Sequence, residues 1–316
     1  MEQNKTKIKM ATSNFTVSSL AEYIKEVSTT ILSQAYFGKE YINFFDIMEG
    51  QKGKQKLNYF ENTLGLHDDA CGWNGTGLAT SFSQREIDVT PLKSEGAFCV
   101  KDLERKWLGQ LLKKGSTYTE YPFEQMIVED MKKQLAKMVE NLLFNGQHSA
   151  VTGTYLDLCD GLIHILSGES TVITGTTSGA TTISNVATKI DELINLAPMV
   201  IKDKQLVIFT SVANYLLYVQ YLFKANLFHA TAAVSMNFEI QVPWAPNVKI
   251  VGVESIAGDD YILTVENNFV MACDSRAEMS VIDGWYDILD DNLKFRAKFK
   301  LGVQVYFPEY VVTLGI

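Results

Sequence analysis

Between Tyr121 and Gly146 the chain reads YPFEQMIVEDMKKQLAKMVENLLFNG, its longest uninterrupted helical pattern. Phe123, Ile127, Met131, Leu135, Met138 and Leu142 recur at spacings of three and four, so they share one face of a helix. Pro122 suits the first turn, where a missing N–H costs nothing. Glu124, Glu129 and Asp130 sit toward the positive end of the helix dipole. Gly146 is placed to end the helix in a left-handed conformation. At 1.5 Å per residue the helix would run about 35 Å, long enough to cross a domain.

Shorter periods surround it. Val17, Leu20, Ile24, Val27 and Ile31 predict an amphipathic helix over 15–33, after a polar arm, and an aromatic-rich segment follows over 36–48. Leu103, Trp107, Leu108, Leu111 and Leu112 predict another helix, over 103–113, and Ile190, Leu193 and Ile194 a third, over 186–196. KQLVIFTS reads as a buried strand leading straight into a helix over 212–223. Strands are expected at 238–242, 248–253, 260–264, 269–273 and 279–283. In LKFRAKFKLGVQVYFPEYVVTLGI two long strands are expected. There Leu293, Phe295, Ala297, Phe299 and Leu301 alternate with Lys294, Arg296, Lys298 and Lys300, the period of a half-buried antiparallel strand.

Residues 50–94 break these patterns. Glycine recurs, apolar periodicity is weak, and only the ends resemble strands: Leu57, Tyr59 and Thr63 on one side, Phe82, Ile87 and Val89 on the other. These are the arms of a long hairpin. A segment of this length with so little core of its own is too long for an ordinary connection, so it packs on another subunit or acts as a functional loop.

Composition narrows the function. Hydrophobic residues make up 47% and charged residues 21% of the 316, as in an ordinary soluble globular protein with ample core. The formal charge of −9 carries no basic run of the kind a nucleic-acid reader needs. Cys71, Cys99, Cys159 and Cys273 are far apart in sequence, which suits free thiols in a reducing cytoplasm rather than a disulfide framework. No apolar run approaches bilayer length.

Reactive constellations are sparse. His67, Asp68, Asp69 and Cys71 fall close together, yet a metal site needs ligands converging from separate elements, so a polar loop tip is the better reading. GTTSGATT at 175–182 lacks the lysine and the strand–glycine–helix order of a phosphate loop. No catalytic, cofactor-binding or metal-binding set is expected. Lys52, Lys54 and Lys56 form a small basic cluster at the base of the excursion. They are either a solvated turn or a contact with an acidic surface on a neighbouring copy.

Four segments carry a resemblance: ENLLFNGQ with CDGLIHIL (140–147 and 159–166), KQLVIFTSVANYLLYVQYL (204–222), VKIVGVESIAGDDYILTVENNFVMACD (248–274) and RAKFKLGVQVYFPEYVVTLGI (296–316). In order and length they resemble the major capsid proteins of tailed bacteriophages, the Hong Kong 97-type α+β fold that encapsulin shells share, over roughly residues 50–316. The resemblance implies an N-terminal arm (1–49), an extended loop (50–102), a peripheral domain with the long spine helix (103–158 with 289–316) and an axial domain (159–288). It implies a non-enzymatic subunit that self-assembles into pentamers and hexamers of an icosahedral shell around double-stranded DNA, without cofactor, membrane or sequence-specific DNA contact. Spine-helix core residues would be Phe123, Ile127, Met131, Leu135, Met138 and Leu142; contacts between copies would involve Lys52, Lys54, Lys56 and Trp73. A portal, decoration proteins and, since Met1 leads almost at once into the arm, a separate scaffolding protein or none are further implications. The location implied is a virion capsid assembled in a host cytoplasm. An encapsulin-type compartment and, more distantly, a cytoplasmic α+β enzyme are the alternatives. Some family members cross-link a loop lysine to an asparagine; Lys52, Lys54, Lys56 or Lys93 with Asn267 or Asn268 would supply the pair, and no cross-link is expected here.

Overall fold

The computed structural model describes residues 37–63, 79–99, 123–148, 152–177, 179–225, 238–274, 282–287, 289–290 and 292–316. Trp73, the His67–Cys71 cluster, the helices expected over 15–33 and 103–113, and the first part of the strand expected at 279–283 lie outside them.

The described chain starts with a 3-10 turn, Glu40–Phe44, and strand β1 (Phe45–Glu49), followed by β2 (Gln55–Thr63), β3 (Ala79–Ile87) and β4 (Thr90–Cys99). Helix α1 (Phe123–Asn145) comes next, then α2 (Leu162–Gly168), β5 (Ile173–Thr174), α3 (Val186–Leu196), β6 (Leu206–Ser211) and α4 (Val212–Lys224). The remainder is β7 (Glu239–Val242), β8 (Ala245–Val253), β9 (Tyr261–Val265), β10 (Phe269–Cys273), β11 (Ile282–Asp287), β12 (Asn292–Val305) and β13 (Val312–Leu314).

Two sheets share one core. The first runs β1-β10-β12-β11, with β4 along the other side of β12; the second runs β5-β13-β9-β6-β8-β7. Strand β12 joins both ends of the first sheet, because residues 292–297 pair with β11 and residues 301–305 with β10. At about 3.3 Å per residue its 14 residues extend some 45 Å. Its alternation persists in space: Ala297, Phe299, Leu301, Val303 and Val305 are buried beneath α1, while Lys298 is exposed on the other face.

Every residue of β6 is buried, which explains its unbroken apolar run. Val207 and Phe209 enter the core shared with the first sheet, whereas Leu206 and Ile208 enter a second core under α3 and α4. Ser211 caps α4 by accepting the Asn214 backbone N–H at 3.2 Å.

Two expectations need correction. The closing stretch holds one long strand and a three-residue one, because a 3-10 turn at Pro308–Tyr310 redirects the chain and β13 enters the second sheet between β5 and β9. Gly146 does not adopt a positive φ. It is required for close approach instead: Gly161 N–H donates to the Gly146 carbonyl at 2.8 Å, and a Cβ at Gly161 would stand 2.6 Å from Gly146 N. β4, β10 and β11 pair with β12, and β1 is added through β10, since strand partners are chosen by long-range pairing that local patterns do not encode.

Candidate assembly surfaces

The long helix buries more than one stripe. Met131, Leu135 and Leu142 are buried, Met138 is half-buried, and Phe123 and Ile127 belong to its first turns. Val139, Leu143 and Phe144 are buried as well, so the last turns are enclosed on several sides. Phe144 meets Tyr41 edge-on at 5.4 Å and lies 6.2 Å from Phe45 and 6.3 Å from Phe209, in an aromatic cluster where the two sheets meet. Glu140, only 1% exposed, accepts the Ser255 N–H at 2.9 Å, while Asn145 donates to the Ser255 carbonyl at 2.6 Å. The other Glu140 oxygen lies 3.5 Å from Lys39, which also reaches Glu254 at 3.1 Å. The start of the described chain, α1 and the β8–β9 connection therefore meet at one buried carboxylate.

The hairpin β2–β3 pairs only with itself among the described strands. Nine residue pairs, Gln55↔Ile87 through Thr63↔Ala79, zip its arms. Its base is anchored, since Leu57, Ile87 and Val89 cover Val270 and Ala272 of β10, and Arg85 forms an ion pair with Glu169 beyond α2. Its far end is six residues past Leu57, or about 20 Å at strand spacing. At its base Lys54 pairs with Glu86 at 3.1 Å, Lys56 is exposed opposite Glu86 in the ladder, and Lys52 lines a cleft with Lys93, Lys298 and Lys300.

A mixed fold with a long helix under a five-stranded sheet, a second six-stranded sheet and an unpaired hairpin matches solved shell structures. A virus-like particle from Pyrococcus furiosus is 10% identical, with 93% of this chain and 99% of that one covered and a TM-score of 0.54. The satellite phage P4 procapsid that includes the size determination (Sid) protein is 13% identical over 91% and 97%, with a TM-score of 0.58. The chain has the Hong Kong 97-type capsid fold. The holo-SrpI encapsulin complex from Synechococcus elongatus is also similar, at 7% identity, 87% and 85% coverage and a TM-score of 0.51. No protein-family model and no curated protein matches this sequence.

Within this capsid fold the residues that looked reactive have structural partners. The 175–182 loop is held by the protein's own carboxylates. Glu192 accepts from the backbone and hydroxyl groups of Thr176 and Thr177, and Asp259 accepts from Thr181 N–H at 2.6 Å. The Thr177 hydroxyl holds the Glu192 carboxyl below its usual range, and Thr181 does the same for Asp259. Buried Lys189 donates to the Gly179 carbonyl at 2.6 Å and to Thr181 at 3.0 Å. The backbone N–H groups of Thr176, Thr177 and Thr181, which a phosphate would compete for, are thus already taken. Burial pushes the Cys159 thiol up to about 12, far from nucleophilic. His148 and His164 are near the surface, bound to the 157–160 turn. No His/Cys/Asp/Glu group among the described residues suits a metal ion, and no described helix is long and apolar enough to cross a membrane.

Sequence reasoning missed Glu140 and Lys189. Lys189 had a readable signal, because it sits three residues after Val186 and four before Leu193, on the apolar stripe of α3. Glu140 had none, since a glutamate in a helix normally faces water.

Proposed function

We infer that this protein is the repeated structural subunit of a closed icosahedral shell, built from pentamers and hexamers of itself, which encloses double-stranded DNA as a virion capsid. The observation that carries the reading is the hairpin β2–β3: nine paired residues per arm, anchored at the base and joined to no other described strand of its own subunit. A two-stranded ribbon is marginal alone and gains stability when it lies on another surface. The capsid fold makes a neighbouring copy the natural surface. Exposed apolar side chains on the second-sheet half, Met199, Val200, Leu216, Phe223 and Trp244, supply further area to bury between copies around a ring. In this reading residues 159–288 are mainly axial, 103–158 with 289–316 mainly peripheral, and 1–49 and 50–102 reach neighbours through Lys52, Lys54, Lys56 and Trp73. A portal and decoration proteins are its expected partners, and the host cytoplasm is where it assembles.

No catalytic role is proposed. Two clefts among the described residues, of about 260 and 520 Å³, are lined by no histidine or cysteine. A covalent cross-link is not proposed either. The Asn268 amide donates to Thr264 and Phe307 and accepts the Phe307 N–H, all at 2.9 Å, so it is committed to its own subunit. A ladder above the monomer on denaturing electrophoresis of assembled particles would contradict this.

Electron microscopy and light scattering of the purified protein test the shell directly. Rings or closed particles are expected, with or without an added scaffold; a monomer that stays monomeric with every co-expressed partner overturns it. Particles filled with an enzyme cargo rather than DNA would favour the encapsulin alternative.

A further inference from the structure

We propose that the outer edge of β4 and the cleft between it and α1 form a docking groove for an extended segment of a second protein. That segment carries aliphatic side chains at alternate positions with lysine or arginine beside them, and it joins the sheet as a strand along β4. The groove goes beyond the shell reading and does not depend on it.

Strand β4 is an edge. Its ten residues, Thr90–Cys99, pair with β12 and with no other described strand. The direction of its remaining backbone groups follows from alternation along the ladder. Tyr306 continues β12, and its N–H donates to the Asn268 carbonyl at 2.9 Å, on the β10 side. Even-numbered residues of β12 therefore face β10, and odd-numbered ones face β4. Each odd residue of β12 stands opposite an even residue of β4, as in Phe295↔Gly96 and Ala297↔Ser94. The backbone groups of Lys93, Glu95, Ala97 and Cys99 are thus turned outward, and all four residues are exposed. Pro91 falls in the same outward set, the place on an edge strand where a missing N–H costs no ladder bond.

Beside this edge a cleft of about 260 Å³ opens between β4 and α1, walled by Met131, Leu135 and Met138 of the helix and by Phe295. Gly96 makes room for it: a Cβ there would overlap the Phe295 ring, so a larger residue would displace that ring. The volume is below the roughly 300–1,000 Å³ of small-molecule sites. An α-helix, about 10 Å across, would leave the edge groups of β4 unpaired. An added strand suits both features, because its backbone pairs with the outward groups while every second side chain enters the apolar cleft.

Charge selects the partner. Glu95 and Asp130 line the cleft, and no lysine or arginine does. Glu95 reaches Lys93 at 3.0 Å, whereas Asp130 is held by the neutral Gln134 amide at 2.6 Å. A second copy laid edge to edge would bring the same carboxylates together, on a chain of net charge −9. A basic segment of another protein meets them with the opposite sign.

The test uses a fluorescent peptide, Lys-Val-Thr-Val-Thr-Val-Lys, and purified full-length subunits kept dilute, with binding read by anisotropy. With the valines in the cleft, opposite Ser94 and Gly96, the threonine N–H groups face β4 and the valine N–H groups face away. N-methylation of the threonines should therefore weaken binding at least about tenfold, and N-methylation of the valines should change it little. Glutamate in place of both lysines should weaken it about tenfold at low salt and less at high salt. Ala97→Pro removes one outward N–H without touching the β12 ladder, and should weaken binding with an unchanged circular dichroism spectrum; the methylated peptides decide the matter should that variant misfold. In hydrogen exchange the peptide should slow Glu95 and Ala97 and leave Ser94 and Gly96, already in the ladder, as they were. No binding at millimolar peptide, or equal losses from the two methylation patterns, overturns the proposal. Slowing of Glu95 and Ala97 on shell assembly without peptide overturns it in favour of a second copy. Either result leaves the shell reading standing, whereas subunits that bind the peptide but never form shells count against that reading alone.

Discussion

Replacing Lys39 by methionine removes the only cation paired with the buried Glu140 carboxylate among the described residues and leaves one of its oxygens without a partner there. Charges 3.5 Å apart attract by about 5 kcal/mol at an effective dielectric near 20. Lys39 is about a third exposed, so solvent screens part of that attraction. Breaking a buried pair by removing one partner costs about 3–5 kcal/mol, and the screening places this case near 2–3 kcal/mol. Glu140→Gln keeps an acceptor for the Ser255 N–H and removes the charge, at a cost of about 1 kcal/mol. In the double variant no charge is stranded at Glu140, so its loss should fall well below the sum of the two single losses. Chemical denaturation of unassembled subunits, read as a shift in midpoint at constant slope, measures all four corners of the cycle. Strict additivity would refute the reasoning, because it would mean that Lys39 does not compensate Glu140.

Met131→Asp puts an unpaired charge into the contact between α1 and β12, and no folded subunit should be recovered; a soluble, assembly-competent product would show that this face is not core. Gly302→Ala places a Cβ 2.5 Å from the Asp88 carbonyl oxygen, where backbone cannot yield easily, and should cost about 1–3 kcal/mol in thermal or chemical denaturation. The 175–182 loop should loosen in acid. Glu192 and Asp259 have folded-state values below their unfolded ones, so their contribution is present above the unfolded carboxylate range, near pH 4, and is lost as pH falls through the folded values. Hydrogen exchange at Thr176, Thr177 and Thr181 should accelerate below about pH 4 once corrected for intrinsic rates, and a flat profile would contradict the assignment.

Legibility in the sequence followed the range of the interaction. Helices α3 and α4, strand β6, the β10 strand and the arms of the β2–β3 hairpin match their local periods closely, because period and branching are properties of neighbouring residues. The assignment of β1 to a sheet was not visible. FDIME looks like the end of an arm, and its parallel pairing with β10 joins residues more than two hundred apart. Phe144 was hidden for a related reason. It falls off the stripe of α1 and is buried only because Tyr41, Phe45 and Phe209 converge on the helix end from elsewhere in the chain. The lysine cleft was half legible: the alternation of β12 lists its basic residues, but only the ladder with β4 brings Lys93 against Lys298.

The placement of β12 and β13 has a consequence for synthesis. Every strand they pair with precedes them: β4, β10 and β11 must wait for β12, and β5 and β9 are bridged only when β13 slots between them. The β4–β12 pairing spans about two hundred residues, and pairings of that separation form late and slowly. A chain stopped short of residues 292–314 therefore closes neither sheet and presents no finished tile. On the shell reading proposed above, one defective copy can spoil a whole particle, and this order of closure would keep truncated chains out of the lattice.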